Sequence, residues 1–376
     1  MNYELFQHTN PNKALYLVDM TQEKGYFSEI VQQALTKNIE EKKKILLIVN
    51  KKGFASWLIC QSCGYIPQCR QCSVSIGYHQ ADNGLLYGLC PICKTIYDMP
   101  PSCEQCHKSG TNQLYWLTLQ KTAQWIEENY KIKPLTIDAE QVSSWPKSAR
   151  IREQIETTQI IISTNIIIPP GDEILNSKFW ITNWAWKGEN NLEFKIQNSK
   201  LSSFDLIIVL AADQWLTLPD YTVRQNTFVQ LYNLIKKFDT RNYIIQSYDT
   251  EHPSIRLALK QNRDGFFEEE KIFRAAHYYP PYGEICIIKY NSENESTLHN
   301  AIEKLHKELV YLQTTYEYNA LTIYTSSPLV YKKFWKYYYH IIIIGAEVRP
   351  FMDIAFSKLT MAKRGYKIDW MAGSLL

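Results

Sequence analysis

The sequence predicts an α/β protein with a parallel sheet. An insertion carrying two Cys₄ zinc sites interrupts it, and a small α+β domain follows. Three observations carry this. Continuous apolar, β-prone runs alternate with stretches of helical period up to about residue 278. Eight cysteines between Cys60 and Cys106 fall into four C-x-x-C knuckles. At Tyr279-Pro280-Pro281-Tyr282 two prolines force an extended turn, and a new alternation begins. The expected boundaries are 1–58 for the start of the first domain, 59–110 for the zinc insertion, 111–278 for the rest of that domain and 279–376 for the C-terminal domain.

Taken in order, Ala14–Met20 reads as a buried strand. Ser28–Glu41 repeats apolar residues at helical spacing, with Ser28 placed to cap it. Lys44–Asn50 is the second buried strand, completing a βαβ unit. After the cysteines the pattern resumes with a strand at Gln113–Leu119 and a helix at Lys121–Tyr130. Strands follow at Pro134–Asp138, Thr158–Thr164, Phe204–Leu210 and Arg241–Gln246, with a helix at Tyr221–Phe238. His252–Ala276 reads as one helical stretch whose acidic run, Glu268–Glu270, is a solvated face. Beyond the prolines come strands at Glu284–Tyr290, Leu321–Tyr324, Phe334–Gly345 and Tyr366–Trp370, and helices at Thr297–Leu312 and Pro350–Lys363.

The knuckles have a chemical reason. Two thiolates separated by two residues can turn onto one tetrahedral Zn²⁺, and two knuckles complete a closed site. Three pairings of four knuckles are possible, and spacing selects among them. Seventeen residues separate Cys72 from Cys90, which fits a zinc ribbon, so Cys69, Cys72, Cys90 and Cys93 form one set. The outer knuckles, Cys60, Cys63, Cys103 and Cys106, form the other. Pairing the first two knuckles would require closure over the short link Gly64–Gln68. A complete Cys₄ set leaves neighbouring His107 outside the coordination. Closed sites have no open position for substrate, so both Zn²⁺ ions are expected to be structural.

The opening residues, MNYELFQHTN, have neither an apolar core nor a cleavage signal, and no apolar run approaches a membrane span. The expected compartment is therefore a reducing cytoplasm, where knuckles mean metal rather than disulfides. Hydrophobic residues make up 45% of the 376, enough for sizeable cores. A net charge of +3 requires that any surface for nucleic acid be local. The ninth cysteine, Cys286, lies in the apolar run EICIIKY and is expected in a core.

Several stretches together resemble the primosomal protein N′ (PriA) family of replication-restart helicases. LYLVDM, ILLIVNKKGFASWLICQSCGY, QCRQCSVSIGYHQADNGLLYGLCPIC and EQC resemble its second helicase lobe with the zinc insertion. Ala212-Asp213, Pro219-Asp220-Tyr221, Phe228–Leu231, Gln246, His252-Pro253 and Tyr279–Tyr282 resemble that lobe's later part and exit, and KIDWMAGSLL resembles the family's end. The resemblance implies a RecA-like lobe with the nested zinc pairing, followed by a DNA-binding domain. Its implied partners are forked or single-stranded DNA, single-strand DNA-binding protein and primosome proteins.

The sequence also departs from that family. The chain contains no G-x-x-x-x-G-K-[ST] loop, so ATP lacks its usual holder. Ser163-Thr164-Asn165 stands where the family has Gly-Thr-Gln, and Asn233–Lys237 where its arginine finger sits; lysine replaces a guanidinium fork poorly. Arg224 and Arg241 lie nearby in sequence, match no motif and are expected at the surface. The expectation leans away from an enzyme, towards a primosomal DNA-binding module. The alternatives are a helicase subunit whose first lobe lies on another chain, and a zinc-scaffold adaptor. The DNA-binding candidates are Lys332, Lys333, Lys336 and Trp335, in a run where lysines could meet phosphates and aromatic rings could stack on bases. Strand alternation sends half of those rings to the core.

Overall fold

The structure is a computed structural model. It describes residues 2–7, 11–49, 56–70, 75–80, 86–90, 95–115, 119–137, 151, 153–164, 204–216, 220–238, 240–326, 332–333, 336–359 and 366–370. The chain forms two compact units. The first comprises Met1–Ile66, Pro100–Thr217 and Arg224–Phe266; the second comprises Pro67–Met99, Leu218–Val223 and Phe267–Leu376.

The chain opens with β1 (Tyr3–Gln7), β2 (Ala14–Asp19), α1 (Glu29–Glu40) and β3 (Ile45–Ile48). The cysteine region holds β4 (Ser56–Cys60), β5 (Gly77–Gln80), β6 (Leu86–Leu89), β7 (Ile96–Asp98) and β8 (Asn112–Tyr115). Next come α2 (Leu119–Tyr130), β9 (Leu135–Ile137), β10 (Ile160–Ser163) and β11 (Leu206–Val209). After α3 (Val223–Lys237) and β12 (Asn242–Ser247), α4 (Pro253–Leu259) and α5 (Arg263–Ala276) lead to the C-terminal elements. These are β13 (Glu284–Ser292), α6 (Glu295–Thr315), β14 (Thr322–Ser326), β15 (Lys332–Lys333), β16 (Lys336–Gly345), α7 (Val348–Leu359) and β17 (Lys367–Trp370).

The first unit is built on a seven-stranded sheet ordered β1-β2-β12-β11-β3-β10-β9. Every neighbouring pair from β2 to β9 is parallel, and only the edge strand β1 is antiparallel. The interior strands β3 and β11 are buried at every position. That explains why they read as unbroken apolar runs rather than alternating ones. α1 lays Val31 and Leu35 against this sheet. Ser28 caps α1 as the sequence predicts, its Oγ accepting from the Val31 N–H at 3.4 Å. α2 adds Leu119 and Ile126, and Trp125 stacks on Phe27 with ring centroids 3.8 Å apart.

Several elements differ from the sequence reading, which placed no strands at β4 to β7 or at β15. β1 was not anticipated; it is a hairpin partner at the sheet edge. The stretch 252–276 is two helices rather than one. Gln261 takes a left-handed φ of 51°, and the Asn262 side chain accepts the Gly265 N–H at 3.0 Å, which starts α5 afresh.

In the second unit, β14-β16-β13-β17 form an antiparallel sheet, with β15 paired to β16. α6 and α7 pack on one face through Leu298, Leu305, Leu309, Phe351 and Met352, against Cys286, Ile341 and Ile343. Ile285, Ile287, Ile342 and Ile344 point to the opposite face, where Tyr221 joins them. Cys286 is thus a core residue. Among the described residues, no helix is long and apolar enough to cross a membrane.

Candidate metal centre

β4 ends at Cys60 and pairs antiparallel with β8, which brings the start and the end of the cysteine region together. The Sγ atoms of Cys60, Cys63, Cys103 and Cys106 all lie within 4.8 Å of one another. Cys60 and Cys106 are 3.6 Å apart, as are Cys63 and Cys103. A tetrahedron with Zn–S of about 2.3 Å has sulfur–sulfur edges of about 3.8 Å, whereas a disulfide needs about 2.05 Å. The four sulfurs therefore fit a metal ion and are free thiols with respect to one another.

One local turn builds each knuckle. In the first, the Gly64 N–H donates to the Cys60 carbonyl at 2.8 Å and the Cys60 N–H to the Tyr65 carbonyl at 2.9 Å. In the last, His107 donates to Cys103 at 2.9 Å and Cys103 to Lys108 at 3.0 Å. The fifth residue of each turn, Gly64 or His107, sits in the left-handed region, with φ of 74° and 60°. This conformational role, together with its exposure, accounts for His107. Bonds between the knuckles hold them face to face: Lys108 Nζ donates to Ser62 Oγ at 2.7 Å, and the Tyr65 hydroxyl to Glu104 at 3.2 Å.

The sulfurs differ in how readily they ionise. Burial opposes ionisation of Cys60, yet the Thr111 hydroxyl and the N–H groups of Ser62 and Cys63 draw its thiol down to about 6. Burial pushes Cys63 up to about 12 and raises Cys103 as well. Sulfurs this close cannot all be thiolates unless a positive ion compensates them.

Parts of the same turn recur at the inner knuckles. The Cys90 N–H donates to the Thr95 carbonyl at 3.0 Å. Gln68 bridges to Ser75 around Cys69, as Ser102 bridges to Ser109 around Cys103. Cys69 and Cys90 are buried, while Cys72 and Cys93 lie outside the described residues. Here β5, β6 and β7 form an antiparallel meander. The Tyr97 hydroxyl accepts from the Arg70 N–H at 3.2 Å and donates to Cys69 Sγ at 3.1 Å. Sequence reasoning missed both hydroxyl neighbours, Thr111 and Tyr97, because no spacing rule ties a hydroxyl to a particular sulfur.

Of the other candidates, Lys332 and Lys333 form β15, in register with Tyr337 and Lys336. Lys336 is exposed, and Trp335 lies outside the described residues. Tyr337 and Tyr339 pack into the helix-covered core, as strand alternation requires. The structure also shows a buried polar centre at the ends of β11 and β12. Asp213 accepts from Ser247 Oγ at 2.5 Å, Tyr248 N–H at 2.8 Å and Asp249 N–H at 3.0 Å, while burial raises its carboxyl above the usual range. Gln246 beside it bonds the carbonyls of Tyr26 and Leu210. Arg224 is half-buried, and its charge helps hold His252 neutral.

No protein-family model matches the chain. It resembles curated proteins named replication restart protein PriA. It is 26% identical to that of Bacillus subtilis over 299 residues, which is 77% of this chain and 33% of the relative. For the Thermotoga maritima protein the figures are 25% over 305 residues, 78% and 36%. For the Borreliella burgdorferi protein they are 25% over 372 residues, 96% and 51%. The chain thus spans between a third and about half of the length of these relatives.

Proposed function

We propose that this chain is a zinc-containing, DNA-binding protein of replication restart and primosome assembly, with no helicase activity of its own. The similarity to replication restart proteins along as much as 96% of the chain carries the reading. The thiol tetrad supports its zinc component. In this reading the parallel sheet is a RecA-like second lobe, 59–110 is the zinc insertion and 279–376 is the DNA-binding domain. Cys60, Cys63, Cys103 and Cys106 would hold one Zn²⁺, and Cys69, Cys72, Cys90 and Cys93 the other. Each ion would supply folding free energy to a segment poor in apolar residues, and no chemistry. Lys332, Lys333, Lys336 and Trp335 would contact DNA. Single-strand DNA-binding protein and primosome proteins are the proposed protein partners.

Phosphoryl transfer depends on positioning and charge neutralisation, and these 376 residues contain no phosphate loop to begin it. A second reading, a helicase subunit completed by another chain, draws on the one-third share of the relatives that the match covers. One experiment tests the first reading: anisotropy with forked and single-stranded DNA, run beside an ATP turnover assay. The expected result is binding without turnover. Hydrolysis that survives further purification would overturn the non-enzymatic reading. Absence of DNA binding, with partner proteins still retained, would replace it with an adaptor.

A further inference from the structure

The register of the C-terminal sheet brings together lysines that the sequence separates. Lys289 on β13 lies opposite His340 on β16 and opposite Lys367 on β17. Tyr338 lies opposite Asn291 on the same pair of strands. Side chains alternate along a strand, so Lys336, Tyr338 and His340 share the face of Ile342 and Ile344. That face is the one turned away from α6 and α7. Lys289, Lys336, Lys367 and Tyr338 therefore stand together on the side opposite the two helices, next to the isoleucines that Tyr221, Tyr279 and Tyr324 cover.

The charge of this face is one-sided. Lys336 and Lys367 are exposed, and the Lys289 side chain is 38% exposed. Among the described residues of β13, β16 and β17, one carboxylate, Asp369, shares the face and pairs with Lys289 at 2.6 Å. Both partners reach solvent, and an exposed pair of this kind is weak enough for a phosphate to compete with it. The helical layer behind the sheet is balanced instead, with four acidic and four basic residues on α6 and α7. Lys336 lies four residues from His340, about 13 Å along β16, and Tyr338 stands between them. A strip of that length is too long for one phosphate group and suits an extended polyanion.

We infer that this face binds single-stranded DNA. Lys289, Lys336 and Lys367 meet phosphates of one strand, and Tyr338 stacks on an unpaired base. Duplex DNA would satisfy the lysines but offer Tyr338 no unstacked base. This surface rests on the DNA-binding reading above and extends it beyond the run that includes Lys336.

The test uses the full chain, labelled oligothymidylate and a blunt duplex, with anisotropy read over a salt series. Lys289→Gln/Lys336→Gln/Lys367→Gln should weaken oligothymidylate binding roughly tenfold, and should make the slope of log K against log salt shallower by about 2. Lys336→Gln/Lys367→Gln, which keeps the Lys289–Asp369 pair, should show about two thirds of the slope change. Tyr338→Ala should weaken oligothymidylate and spare the duplex. Lys304→Gln/Lys307→Gln/Lys358→Gln on the helical layer should change neither. A folded sheet-face variant that binds like the parent overturns this surface and leaves the DNA-binding reading standing. Equal losses from both triple variants also overturn it, since bulk charge would then account for binding. A parent that binds neither DNA overturns the underlying reading as well.

Discussion

Gly64 and His107 occupy the same position in two copies of one turn, each donating its N–H to the carbonyl of the first cysteine in its knuckle. Both have positive φ, but their surroundings differ. A Cβ on Gly64 would overlap the Tyr248 carbonyl oxygen, whereas His107 is exposed. Gly64→Ala should therefore cost more than the usual left-handed penalty of about 1–2 kcal/mol. His107→Gly should relieve that penalty and raise the melting temperature slightly. Zinc content measured beside the melts separates backbone role from ligand role. A fall in bound zinc in His107→Gly would make this histidine a ligand.

Metal and fold should be coupled locally. In the proposed two-zinc arrangement Cys60→Ser/Cys63→Ser removes half of one ligand set, so bound zinc should drop from two ions to one per chain. The parallel sheet should persist, because the core it shares with α1 and α2 lies mostly outside the cysteine region, which adds Ile59 and, at its margin, Ile66. Metal analysis and amide exchange would check this. Loss of both ions with exchange throughout the sheet would show that the cysteine region is not an independent folding element. Unchanged zinc would remove Cys60 and Cys63 from the ligand set.

Acid should act through two neutral histidines, buried His340 and half-buried His252, one in each unit. Burial, aided by the Lys289 charge and opposed by Asp369, holds His340 down to about 4. Burial and Arg224 hold His252 down to about 3. An unfolded histidine titrates near 6.5, so between that value and the folded one the unfolded chain binds the extra proton. The stability each contributes is present above pH ~6.5 and is lost as pH falls towards the folded value. For His340 the loss is about 3 kcal/mol. Urea melts of the parent and His340→Gln at pH 7 and pH 4.5 would show it as a shallower acid slope in the variant. Identical slopes would mean that His340 titrates normally.

How far this architecture could be read from the sequence depends on the range of the interactions. Ile45–Ile48 and Leu206–Val209 announced themselves because both faces of a central parallel strand are covered. Ser28 did so because a cap lies next to what it caps. The grouping of Cys60 and Cys63 with Cys103 and Cys106 was legible because metal ligands obey short spacing rules. The order of the sheet was not, since β2 and β3 are consecutive in sequence yet stand apart with β12 and β11 between them. The break at Gln261–Asn262 was hidden because a two-residue reversal leaves the helical period nearly intact. The Lys289, Lys336 and Lys367 face had no local signal at all, because it exists only through the pairing of β13, β16 and β17.

In the proposed two-zinc arrangement, Tyr97 should set the lifetime of metal in the inner set, Cys69, Cys72, Cys90 and Cys93. Its hydroxyl accepts the Arg70 N–H and so has its proton directed at Cys69 Sγ. A hydrogen bond to a ligating thiolate disperses its charge and fixes its orientation, and loss of such an outer partner typically costs about 10–100-fold in metal affinity. Tyr97→Phe keeps the ring and deletes only the donor. Zinc release to a chromophoric chelator should then show two phases, with the faster one assigned to the inner tetrad and accelerated by about tenfold or more. The outer tetrad has Thr111 beside Cys60 instead and should release at the parent rate. If Tyr97→Phe releases both ions at the parent rates, the hydroxyl is a packing neighbour of Cys69 and has no part in holding the metal.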